Sequence, residues 1–200
     1  IIPFKMFKTT LTKDPIQLEV FKIAHIPGLT KAAENESIWT YVKPPNQPLK
    51  AFIQTYLETL TKGHDKNDPF AYTIINSQTQ EVLGSSRFYE ISQLDKRLCI
   101  GFTWCSPEYW GTGLNERIKL AMLEHAFEDL GMNRVGFHVD SRNIRSLKAM
   151  AKIGAQKEGI MRKHKIVQGS FCRDTVLLAI IKQDWFEIKI NLERVTHDNS

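Results

Sequence analysis

Apolar and polar residues alternate over positions 16–23 (IQLEVFKI), the period-two pattern of a strand with one buried face. Over 48–60 the spacing changes. Leu49, Phe52, Ile53, Tyr56, Leu57 and Leu60 recur three and four residues apart, which predicts an amphipathic helix. A helix is also expected over 25–39, with Pro44-Pro45-Asn46 as the break between the two. A polar loop, 63–69, leads to strands at 70–75, 81–91 and 97–104, and their short polar connections predict an antiparallel meander. The longest helical stretch, 113–130, stops at Gly131, a residue suited to the left-handed end of a helix. Residues 134–140 (RVGFHVD) read as a strand parallel to its predecessor, because a helix separates the two. Asn143 then opens a helix with Ile144, Leu147, Met150 and Ala151 on one face, ending at Gly154. A hairpin of strands 156–166 and 171–181 around Gln168-Gly169-Ser170 and a helix over 184–194 complete the chain.

The expected fold class is therefore mixed α/β. Its sheet has seven mostly antiparallel strands, a parallel pair in the middle and helices on its flanks. No repeat or linker divides the chain, so residues 1–200 are expected to be one domain. A 42% hydrophobic content supports a core of its own, and with 24% charged residues a soluble rather than disordered chain is expected. The longest apolar run, 176–181, is too short to span a bilayer, and IIPFKMFK at the start has no signal-peptide core; a cytoplasmic protein is expected. Cys99, Cys105 and Cys172 are odd in number and lack metal-ligand spacing with the histidines, so reduced thiols and no metal are expected. The net charge of +5 is interleaved with acidic residues. That argues against nucleic acid, which needs a basic stripe, and it suits a ligand with several phosphates. Homodimerisation is left open.

One stretch carries chemistry. The strand ending at Cys105 passes through Ser106-Pro107 into a loop with Gly111 and Gly113 and directly into the long helix. Helix N-termini present unpartnered N–H groups at the positive end of the dipole, and glycine lets an anion approach them closely. A mononucleotide loop would need Lys and then Ser or Thr after the second glycine, where Leu114-Asn115 stands; a dinucleotide fingerprint would need a third glycine, where Glu116 stands. Ser106-Pro107-Glu108-Tyr109-Trp110-Gly111-Thr112-Gly113-Leu114-Asn115 instead resembles the acetyl-CoA pyrophosphate loop of GNAT acyltransferases, in the branch that includes ribosomal-protein N-terminal acetyltransferases. The resemblance covers most of the chain.

What the resemblance implies is an N-acetyltransferase that moves an acetyl group from acetyl-CoA to a primary amine by direct attack in a ternary complex. The central strands should splay to admit the pantetheine arm. Trp110, Gly111, Thr112, Gly113, Leu114 and Asn115 would hold the cofactor, and the backbone of Phe102, Thr103, Trp104 and Cys105 would offer free N–H groups to a developing oxyanion. The Phe102 and Trp104 side chains are expected in the core. Asn143 can be a helix cap alone or can also bond the pantetheine. The Ser146 hydroxyl is the candidate acid for the leaving thiolate, or else a first-turn serine bonded to its own backbone. Similar enzymes carry a tyrosine acid near Met150 and a glutamate at the position of Cys99. The base stays open among His138, Glu90 and Glu108. Those departures keep a second reading alive, a CoA-binding regulatory or scaffold domain without turnover.

The acceptor is addressed by residues 157–165 (KEGIMRKHK) and Arg173. On strict alternation Arg162 and His164 would share one face and Lys163 and Lys165 the other. A cationic edge favours acidic peptide or amino-acid-like amines over polyamines.

Overall fold

The computed structural model describes residues 7–66 and 70–198, the side chains of 62–66 and 198 excepted. The chain runs through β1 (Thr10–Lys13), β2 (Ile16–Val20), α1 (Ile26–Ala32), α2 (Leu49–Lys66), β3 (Phe70–Asn76), β4 (Val82–Ser92), β5 (Arg97–Cys105), α3 (Leu114–Glu124), β6 (Arg134–Asp140), α4 (Ile144–Lys152), β7 (Gln156–Val167), β8 (Phe171–Ile181) and α5 (Trp185–Asp198). One sheet holds the strands in the order β1-β2-β3-β4-β5-β6-β8-β7, and β5 with β6 is its parallel pair. The mixed α/β class and the central parallel pair agree with the expectation.

The sheet has eight strands rather than seven. β1 is four residues long with Leu11 as its buried position, too little alternation to be noticed before its pairing with β2 is known. The helix expected over 25–39 is α1 followed by a 3-10 turn, Glu36–Trp39; the Asn35 side chain accepts from the Ser37 N–H at 3.0 Å and starts that turn afresh. α2 continues to Lys66 and absorbs the first part of the loop expected at 63–69, whose remainder lies outside the described residues, as do residues 1–6 of the leading segment. α3 ends at Glu124 and passes into a π-helical turn, His125–Asp129, closed by the Leu130 N–H on the His125 carbonyl at 3.0 Å. Among the described residues no helix is long and apolar enough to cross a membrane.

Two cores hold the sheet. β3 is buried at six of its seven positions, the continuous apolar run expected of a strand covered on both faces. On one face α3 and α5 bury Ile118, Met122, Phe127 and Trp185 against Leu98, Val135 and Phe137. On the other, α1 and α2 enclose Phe21, Leu29, Trp39, Ile53, Leu57 and Trp104. Each such side chain contributes about 1.5–3 kcal/mol of transfer free energy. β4 approaches β5 so closely at Gly84 that a Cβ there would lie 2.0 Å from the Trp104 carbonyl oxygen.

β5 and β6 pair only at Arg97↔Arg134, Leu98↔Val135 and Cys99↔Gly136. Past that point the β4–β5 register shifts and Phe102 takes φ 51°, a bulge of the kind that bends and twists its strand. β6 meanwhile stays with β8 as far as Asp140↔Thr175. The two strands diverge, and the wedge between them is walled by backbone edges that have no ladder partner.

Candidate active site

The loop at the wide end of the wedge is pinned by its own side chains. Ser106 Oγ donates to the Ala32 carbonyl at 3.0 Å, Trp110 Nε1 to the Cys105 carbonyl at 3.1 Å and Thr112 Oγ1 to the Tyr109 carbonyl at 2.8 Å. Gly111 at φ 80° and Gly113 at φ 84° take left-handed backbone that glycine adopts without cost. A Cβ on Gly111 would meet nothing within 4 Å, so its hydrogen faces open space and not packing. Gly113 is the N-cap of α3. The first backbone bond of that helix runs from the Arg117 N–H to the Gly113 carbonyl at 3.2 Å, which leaves the N–H groups of Leu114, Asn115 and Glu116 without intrahelical partners. This is an anion cradle, and its residues suit a pyrophosphate.

Below the loop, α3 turns polar atoms toward β5. Asn115 Nδ2 is buried with no hydrogen-bond partner. One turn on, Lys119 is buried and donates from Nζ to Thr103 Oγ1 at 2.7 Å, and that hydroxyl is shared with Ser86 Oγ at 2.7 Å. Burial brings Lys119 down to about 7, opposed weakly by Cys105, whose own thiol burial pushes up to about 11. From α4, the Arg145 guanidinium lies 3.3 Å from the centroid of the Trp110 ring, desolvated and near Cys105. Asn143 Oδ1 caps α4 by accepting the Ser146 N–H at 3.0 Å, which leaves its amide nitrogen for other use. The Ser146 hydroxyl forms no hydrogen bond among the described residues, so it is not tied to its own backbone. Met150 is 6% exposed and packed in the core, which places no proton donor at that turn.

The sheet face shared with α2 carries a different row. Phe102 is 51% exposed; this corrects the expectation of a core side chain, because its positive φ swings the ring out of the strand plane. Its ring meets Tyr89 at 5.3 Å, Tyr89 meets His138 at 5.9 Å, and His138 meets His164 at 6.2 Å between centroids. Trp104, by contrast, is buried with Nε1 donating to Tyr56 Oη at 3.0 Å. His138 Nδ1 is buried without a hydrogen-bond partner and lies 3.8 Å from Glu90 Oε1. Burial lowers its pKa, the Glu90 carboxylate opposes this, and Lys165, His164 and Arg173 add to the lowering. Cys99 Sγ donates to Glu90 Oε2 at 3.6 Å. Glu90, Cys99 and His138 present ligand-type atoms within 4.8 Å of one another, and burial with the nearby Glu90 carboxylate pushes the Cys99 thiol up to about 12.

Known proteins match this chain in sequence and in fold. The sequence profile of the acetyltransferase (GNAT) domain covers residues 16–156. The chain belongs to the GNAT family. It is 27% identical over 148 residues to the uncharacterised N-acetyltransferase YoaA of Bacillus subtilis, covering 74% of this chain and 82% of that one. It is 22% identical over 148 residues to the [ribosomal protein uS5]-alanine N-acetyltransferase of Escherichia coli, covering 74% and 75%. Two solved structures share the fold: a GCN5-related N-acetyltransferase from Brucella melitensis (TM-score 0.83, 21% identity, 94% of this chain and 85% of that one) and Mycobacterium smegmatis RimJ in complex with CoA-disulfide (TM-score 0.81, 15% identity, 96% of each).

As a GNAT protein the chain is an acyltransferase. Gly111 and Gly113 lie in the loop at the wide end of the wedge, Thr103 and Cys105 on β5, Asn115 in the first turn of α3, and Asn143 and Ser146 at the start of α4 after β6, while the side chain of Leu114 belongs to the core. Lys119 and Arg145 were missed by sequence reading. No local pattern marks either, and the contacts to Thr103 and Trp110 reveal them. The meeting of Glu90, Cys99 and His138 depends on strand register and has no local signal. Of the candidate bases, Glu108 sits instead in the 3-10 turn Pro107–Tyr109 at the loop.

Proposed function

We propose that this protein is an acetyl-CoA-dependent N-acetyltransferase acting on the amine of a peptide N-terminus or an amino-acid-like molecule. The observation that carries the reading is the wedge with unpaired β5 and β6 edges opening beneath an N–H cradle at Gly111–Asn115. Acetyl-CoA, when bound, supplies an activated thioester acyl group. Loop amides take its phosphates, with Arg145 close to the cradle, while Asn115 Nδ2 and Lys119 Nζ line the track of the pantetheine arm from the α3 side. The free backbone of Phe102–Cys105 meets negative charge developing on the carbonyl oxygen. His138, whose pKa is lowered by burial, accepts the amine proton with Glu90 at its side. Ser146 Oγ donates toward the departing sulfur.

The acceptor approaches the row of Phe102, Tyr89, His138 and His164, beside the β7–β8 hairpin. Strict alternation does not hold in that hairpin: the register shifts between Met161 and Lys165, and Lys163 at φ 49° gives its N–H to Asp174 Oδ1 at 2.7 Å. Arg162, Lys163 and Lys165 are consequently all exposed, whereas His164 turns inward to Thr175. The rim is cationic and disfavours polyamines. Thiol release from acetyl-CoA with an acidic peptide and with spermidine, at low and high salt, tests this. Faster reaction with spermidine at low salt would refute the acceptor class, and acetyl-CoA binding without thiol release for any amine would favour the non-catalytic CoA-binding domain.

A further inference from the structure

Arg87 is a second buried cation that the proposed chemistry does not use. It sits on β4 opposite Ala71 and Gly101, 3% exposed, between the Tyr56 ring at 4.9 Å and the Phe102 ring at 4.8 Å from the guanidinium carbon. Its recorded hydrogen bond is Nη2 to Thr59 Oγ1 at 3.1 Å, and Nε is buried with no partner. Among the described residues no carboxylate pairs with it. Guanidinium is always charged, and removing it from water without a counter-ion is costly. A buried cation with spare planar donors is a socket for a carboxylate that arrives with a ligand.

The surroundings say which ligand. Phe102, the ring that covers one face of Arg87, is half exposed and next continues the row to Tyr89 and His138, so the guanidinium lies one ring away from the floor on which the acceptor is placed. Around that floor Lys165 and Arg173 act on His138 and His164 as positive charges, with Glu90 the opposing carboxylate. Two aromatic rings separate the socket from the His138 imidazole. A free amino acid holds its amine and carboxylate on one carbon, whereas an extended peptide, gaining about 3.3–3.6 Å per residue, sets a carboxylate apart from the amine as the intervening rings set Arg87 apart from His138.

Resting on the N-acetyltransferase reading above, we propose that Arg87 anchors a carboxylate of the acceptor, so that the preferred substrates are short peptides whose carboxylate lies a few residues from the reacting amine. The carboxylate can be a C-terminus or an acidic side chain. Two matched acceptor pairs distinguish them: trialanine against its C-terminal amide, and a pentapeptide amide with aspartate against asparagine at its third position. The wild-type protein should favour the acid member of at least one pair by about 30-fold or more in kcat/KM, the scale of a desolvated charge pair. In Arg87→Met that preference should collapse while the amide member is used as before; Arg87→Lys should recover part of it. Calorimetric affinity for acetyl-CoA should be unchanged in both variants. A lost packing role would lower acid and amide alike and would leave the ratio intact. Equal use of acid and amide by the wild-type protein in both pairs, or a preference that survives Arg87→Met, overturns the proposal, and if Arg87→Met fails to fold, the wild-type ratios and Arg87→Lys decide it. Transfer to none of these peptides, with other amines accepted, overturns it too and leaves the N-acetyltransferase reading standing.

Discussion

Replacing Lys119 by methionine should make the ligand-free protein more stable, although it removes a hydrogen bond. Lys119 has no carboxylate partner among the described residues, and burial carries it from 10.5 to about 7. Between those values an unfolded chain holds a proton that the folded chain does not, so stability falls as pH drops from 10.5 to 7 and is fully lowered below 7. At about 1.36 kcal/mol per pH unit the loss reaches an upper bound of about 5 kcal/mol, a large share of the roughly 5–15 kcal/mol that a domain has. Methionine is unbranched and of similar length, and Thr103 keeps its bond to Ser86. Losing the Lys119–Thr103 bond costs about 1 kcal/mol. The net gain at pH 7 is about 3–4 kcal/mol, or on the order of 10 °C in Tm for a chain of this length. Urea melts of both proteins between pH 6 and 10 measure it. The gain should shrink toward zero as pH rises, and acetyl-CoA should bind the variant less tightly. A pH-independent difference, or a variant less stable than wild type at pH 7, refutes the reasoning.

Gly111→Val should weaken acetyl-CoA by tenfold or more, because the added side chain points into the open cradle from a left-handed φ of 80°, a backbone strain of about 1–3 kcal/mol; Thr112→Ala should change affinity little, and calorimetry separates the two. Ser146→Ala should bind acetyl-CoA normally and lose about 10²–10⁴-fold in turnover; an unchanged rate and pH profile would remove Ser146 from the chemistry. Since Glu90 raises and burial lowers His138, Glu90→Gln should move the acid limb of the kcat/KM profile further down in pH; a limb that stays in place would show that His138 is not the titrating base.

Local signals carried the loop, the Asn143 cap and most strands, because glycine placement, capping and hydrophobic period act over a few residues. Phe102, Lys119 and His164 were harder for a common reason. Each takes its surroundings from an irregularity or a distant contact: the bulge at φ 51° turns Phe102 outward, Thr103 draws Lys119 inward, and the register shift before Lys165 rotates His164 toward His138. Alternation assigns faces only while a strand keeps its register. Eight strands were read as seven because β1 has one buried residue to announce it.

The placement of β7 outside β8 has a consequence for assembly. An edge strand offers its unused amides and carbonyls to any passing extended chain, and growth of the sheet into a fibre begins there. Here one border is β1, four residues long, and the other is β7, which exposes Lys157, Arg162, Lys163 and Lys165 and breaks step before Lys165. Both borders carry features that discourage pairing with a second copy, shortness on one side and basic side chains with a break in register on the other, so the protein should resist templated aggregation even when concentrated.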